Sequence, residues 1–73
     1  MDDLLKARKK VAYARERVAH QERIVERLKR KKIDTSGAER TLAQYVQSQK
    51  TLENEVKNLE KVAALMGASA RRF

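Results

Sequence analysis

Seventy-three residues without a cysteine make one small domain at most, with no disulfide framework and no thiolate metal site. No stretch approaches the roughly 18 consecutive apolar residues of a membrane span, and the acidic start Met1-Asp2-Asp3 lacks the apolar core of a secretory signal, so the expected address is cytoplasmic. The formal charge of +8 suggests acidic partners but is unevenly spread: residues 1–33 hold 12 Lys/Arg against 5 Asp/Glu, while residues 34–73 hold 6 against 5.

With no proline and only Gly37 and Gly67 as glycines, the chain has almost nothing to interrupt a helix. Three aromatic residues and no alternating β-branched run leave no strand signal. Leu4, Ala7, Val11, Ala14, Val18, Gln21, Val25 and Leu28 recur in steps of three and four, which predicts a first helix over about 2–32. Arg27, Lys29, Arg30, Lys31 and Lys32 crowd its end.

The one break is Ile33-Asp34-Thr35-Ser36-Gly37, with a turn expected at about 33–36. Ser36 and Glu39 have the spacing of a capping box. Asp34 and Thr35 are equally good N-caps, so the sequence leaves three candidates for the start of the second helix.

Ala38, Leu42, Tyr45, Gln49, Leu52, Val56, Leu59, Ala63 and Met66 carry the second seam, predicting a helix over about 37–66 and a tail at 67–73. Either Gly67 stops this helix, or the apolar overhang that continues to Ala70 and Phe73 packs on a second copy. Two heptad seams joined by a short turn make an all-α fold, an antiparallel two-helix coiled-coil hairpin, to which dimerisation into a four-helix bundle would add a thicker core.

Antiparallel pairing sets residues opposite one another at a constant sum of residue numbers. One such register matches Leu28 with Leu42, Val25 with Tyr45, Val18 with Leu52, Ala14 with Val56, Val11 with Leu59, Ala7 with Ala63 and Leu4 with Met66. Its one polar layer sets Gln21 against Gln49. That layer is either a register-specifying device or a pair of amides tolerated in a thin, wet core. The same register predicts flanking ion pairs Arg8–Glu60, Arg15–Glu53, Lys29–Glu39 and Arg17–Glu55.

The segment Glu16-Arg17-Val18-Ala19-His20-Gln21-Glu22-Arg23-Ile24-Val25-Glu26-Arg27-Leu28, followed by Asp34-Thr35, Ala38 and Leu42, resembles a group of small uncharacterised helical-hairpin proteins of alphaproteobacteria, notably rhizobia. Their pattern is roughly E-R-[VI]-A-x-Q-x-x-[IV]-V-x-x-L, then D-T-x-x-A-x-x-L. The resemblance covers about 27 residues across the turn and implies the hairpin, with no chemistry attached. The group usually places glycine before the Asp-Thr turn, where Lys32-Ile33 stands here, so the end of helix 1 lacks the usual left-handed glycine.

No catalytic or metal constellation converges. His20 falls on the outer face, Glu22 and Glu26 lack the Glu-x-x-His partner of a carboxylate bundle, and there is no glycine-rich phosphate loop. Tyr13 points outward with Arg17 one turn on, as a cation–π pair.

The expectation is a protein that is no enzyme, uses no cofactor or small-molecule substrate, and works as a protein–protein interaction or structural module. Leu5, Leu65 and Phe73 are its candidate contacts with an unknown protein partner or a second copy. The alternative is a small basic nucleic-acid-associated protein using Lys6, Lys9, Arg23, Arg27, Lys29, Arg30, Lys31 and Lys32 as a patch for phosphate backbone. No membrane partner is expected, because the outer face lacks an inserting Trp/Phe/Leu stripe.

Overall fold

The chain forms two antiparallel helices, α1 (Asp2–Arg30) and α2 (Ser36–Ala70), as seen in a computed structural model that describes the backbone of residues 2–70 and the side chains of residues 3–67. The two helices pack along their apolar seams into a narrow rod. No helix among the described residues is long and apolar enough to cross a membrane.

α1 ends two residues earlier than its charge-rich sequence suggests, and the reason is a backbone motif. The Ile33 amide bonds the Leu28 carbonyl at 2.9 Å and the Lys32 amide bonds the Lys29 carbonyl at 3.0 Å. This is the six-to-one and five-to-two pattern of a Schellman closure. It requires a left-handed residue, and Lys32 supplies it at φ 56°. The helix end therefore has the geometry that glycine usually provides, built on lysine at a conformational cost.

α2 starts at Ser36, and the three cap candidates divide the work. The Thr35 carbonyl accepts the first helical bond from the Glu39 amide at 2.8 Å. Asp34 Oδ1 accepts from the Ser36 amide at 3.0 Å and from Ser36 Oγ at 2.7 Å. The capping box does not form, because the Glu39 carboxylate turns to Lys29 Nζ at 3.6 Å. At its other end α2 runs through Gly67 to Ala70 instead of stopping near residue 66. Gly67 does not adopt a positive φ, so it is no C-cap. A mid-helix glycine costs only about 1 kcal/mol, and Ala63, Ala64 and Ala68 around it are the best helix formers.

Ala7, Val11, Ala14, Val18, Gln21 and Val25 are buried, whereas the α2 seam from Ala38 to Leu59 is half-buried. The small Ala7 and Val11 are covered by the larger Val56 and Leu52, which themselves stay half-buried. Ile24 and Val46 widen the stripe and are half-buried.

The register differs from the one read off the apolar pattern. Gln21 Nε2 donates to the Ala38 carbonyl at 3.0 Å, and the Arg17 guanidinium lies over the Tyr45 ring at 4.1 Å. Ala63 and Met66 are exposed, and seam burial on α2 ends at Leu59. Pairing shifted by one heptad satisfies all of these, with Leu4 opposite Leu59, Ala7 opposite Val56, Val11 opposite Leu52, Val18 opposite Tyr45, Gln21 opposite Leu42 and Val25 opposite Ala38. The Gln21–Gln49 layer is thus absent: Ala38 lies eleven residues before Gln49, about 16 Å along the helix. Gln49 Nε2 donates instead to Glu53 Oε1 on its own helix at 3.1 Å.

Candidate interaction surfaces

Beyond the seam the rod offers a basic tip at the turn, an apolar open end, and a groove along each side. At the tip, Arg27, Lys29, Arg30, Lys31 and Lys32 are all exposed. The Schellman closure folds Lys31 and Lys32 back over the last turn of α1, where cations also suit the helix dipole. Lys29 is paired with Glu39. Arg23 lies one turn before Arg27, but Lys6 and Lys9 sit about 27 Å or more from Arg27, the nearest cation of the tip, at about 1.5 Å per residue. The eight cations chosen from sequence therefore form two groups rather than one patch.

The open end comes from the same one-heptad shift. α1 begins at Asp2 while α2 continues past Leu59, so every described α2 side chain from Glu60 to Gly67 is exposed. Met66 is 68 % exposed and Leu65 69 %. Asp3, Leu4, Leu59, Val62, Ala63, Met66 and Gly67 line a groove of about 520 Å³ here. Leu5 and Leu65 are exposed but stand outside this groove, on outer faces of their helices. Leu4, Val62 and Met66 form it; Val62 belongs to the apolar overhang expected from the sequence, whereas the register read from the apolar pattern gives Leu4 and Met66 to each other in the seam. Phe73 lies outside the described residues.

The side grooves differ in charge. One is lined by Arg8, Val11, Ala12, Arg15, Glu53, Val56, Lys57 and Glu60. Ion pairs close it: Arg8 to Glu60 at 3.6 Å and Arg15 to Glu53 at 3.4 Å. The Glu53 carboxylate sits below its usual pKa, first because Gln49 donates to it and then because Arg15 does. Asp34 at the turn is likewise lowered, chiefly by the Ser36 amide and then by its hydroxyl.

The opposite groove is lined by Lys9, Lys10, Tyr13, Ala14, Arg17, Tyr45, Ser48 and Leu52. The expected Arg17–Glu55 pair does not form. Arg17 lies between the two tyrosine rings, 4.1 Å from the Tyr45 centroid and 5.7 Å from Tyr13. The shift brings Tyr45 opposite Val18 and so beside Arg17. Polar contact with Tyr45, ahead of the charge interactions with both rings, raises the Arg17 pKa above its ordinary value.

Among the described residues no group of His, Asp and Glu side chains could hold a metal ion, and His20 is exposed. No buried side-chain nitrogen or oxygen among them lacks a partner. No family model, curated protein or solved structure matches the chain.

Proposed function

We propose that this chain is a non-catalytic helical hairpin that acts as a protein–protein interaction module, docking through its open end. The carrying observation is the one-heptad overhang: beyond Leu59, Ala63 and Met66 continue the seam beside Val62, all three are exposed, and of the described α1 residues only Asp3 and Leu4 line the groove they form. An exposed apolar stripe in register with an existing coiled-coil seam is suited to receive a further amphipathic helix. The thin core points the same way, since no large side chain in the described chain is fully buried and a second layer of helices would add the missing burial. The likeness to the alphaproteobacterial hairpin group belongs to the same reading and adds no chemistry to it.

The simplest helix donor is a second copy. Sedimentation equilibrium up to about 1 mM, the weak end of measurable association, should show reversible dimers of the wild type. Val62→Glu combined with Met66→Glu should abolish them while leaving the helical circular dichroism unchanged, since both side chains are exposed. A dimer that survives both substitutions, or a wild type that stays monomeric throughout, would overturn docking of a second copy through this end.

A further inference from the structure

The two side grooves were built from the same repeat and have opposite characters. Glu53 and Glu60 offset two of the three cations of one of them, Arg8, Arg15 and Lys57, whereas no carboxylate lines the other. That second groove gathers three cations, Lys9, Lys10 and Arg17, with both tyrosines of the chain, Tyr13 and Tyr45. We infer that it is a binding site for single-stranded nucleic acid, with a base stacked on Tyr13 and backbone phosphates held by Lys9, Lys10 and Arg17.

The chemistry follows from the arrangement. Sequence-tolerant single-strand binding needs aromatic faces on which bases stack and a cationic track along the backbone. Arg17 lies nearer Tyr45 than Tyr13, and Tyr13 is 63 % exposed, so its ring is the open platform. Lys9 and Lys10 stand one turn before Tyr13 on the same helix, about 5 Å away along the axis. Arg17 is fixed by its stacking on Tyr45, so it presents a positioned donor fork rather than a mobile one. Duplex DNA is a poorer occupant, because its bases are already stacked and the rod carries no groove-reading element. An anionic membrane is a poorer one too, since Tyr45 and Leu52 are half-buried and Tyr13 alone of the groove's large apolar side chains is exposed, short of an inserting stripe. The turn-end cations lie elsewhere and would add attraction along the rod without stacking.

The test uses a property of the composition: the chain has no tryptophan and two tyrosines, so its intrinsic fluorescence reports Tyr13 and Tyr45 alone. Titration with oligothymidylate should quench this emission, while the same phosphate concentration as inorganic polyphosphate or as phosphatidylglycerol vesicles should not. Tyr13→Ala, at an exposed position that leaves helical content intact, should weaken binding measured by anisotropy of labelled oligothymidylate by about tenfold, the scale of one lost base–aromatic stack. Tyr13→Trp should retain or strengthen it. Lys31→Gln with Lys32→Gln should lower affinity only through its salt dependence and leave the quenching amplitude unchanged. Equal binding by wild type and Tyr13→Ala, or polyphosphate and vesicles competing as well as the oligonucleotide, would overturn the site and reduce the groove to a charged surface.

Discussion

Gln21 and Gln49 provide the sharpest test of the register through a double-mutant cycle. Each is replaced by leucine, singly and together, and unfolding in urea is followed by circular dichroism at 222 nm, the helix band. If the two amides faced each other in a polar layer, one leucine would strand the remaining amide at a penalty of about 1–3 kcal/mol. The double variant would regain it, giving a coupling energy of similar size. The observed contacts give a different result. Gln21 is 8 % exposed and bonded to the Ala38 carbonyl, and that carbonyl keeps its own helical bond when the amide is removed. Gln21→Leu forfeits a bond worth about 0.5–1.5 kcal/mol net and places an apolar group opposite Leu42, so it should be near neutral or stabilising by up to about 1 kcal/mol. Gln49→Leu releases only the bond to Glu53 on its own helix. In the shifted register the two positions are seven residues apart along the rod, about 10 Å, where substitutions add to within about 0.5 kcal/mol. A coupling energy of about 1 kcal/mol or more would refute the shifted register, and with it the overhang on which the proposed docking depends.

Two further predictions concern the turn and the Glu53 carboxylate. Lys32→Gly removes the left-handed strain of a non-glycine residue, about 1–2 kcal/mol, against an added unfolded-state entropy of roughly 0.5–1 kcal/mol; the midpoint of thermal unfolding should rise by a few degrees, whereas Arg30→Gly, inside the helix, should lower it. The carboxylates of Asp34 and Glu53 both have folded pKa values below the ordinary range, so each contributes stability that is complete above about pH 5 and lost as pH falls through the depressed folded value. Melting curves between about pH 7 and pH 2 should show this acid limb, and Asp34→Ala should flatten it while lowering the neutral-pH midpoint; an unchanged acid limb in both Asp34→Ala and Glu53→Gln would contradict the capping and the Gln49–Glu53–Arg15 contacts.

The hairpin itself was legible because its signals act locally: an unbroken three-four spacing, the absence of proline, and one cluster of cap-forming residues at Asp34-Thr35-Ser36. The basic residues at the end of α1 and the outward placement of Tyr13 were legible for the same reason. The Schellman closure at Lys32 was not, since lysine carries no propensity for the left-handed region and only the chain reversal imposes it. Nor was the helical path through Gly67, where alanine neighbours outweigh a glycine that would end a less favourable segment.

The register failed for a reason built into heptads. Sliding one helix by seven residues returns every seam position to a seam position, so apolar matching alone hardly separates the alternatives. The flanking charges did not break the tie either. Arg8–Glu60, Arg15–Glu53 and Lys29–Glu39 all form, although their backbones no longer stand opposite each other. Side chains on a helix lean toward its N-terminus; in an antiparallel pair the two leans converge, and long Arg, Lys and Glu side chains span the several residues of offset. Ion pairs of this length are therefore compatible with either register and select neither. The short contacts do select: the glutamine amide on Ala38 and the guanidinium on Tyr45 cannot span a heptad. Both proposed surfaces follow from that choice. The slide that frees Val62 and Met66 at the open end is the slide that brings Tyr45 to Arg17 beside Tyr13. A variant forced into the other register would cover the overhang and dismantle the tyrosine groove together, so loss of dimerisation and loss of tyrosine quenching in one such variant would trace both surfaces to a single structural cause.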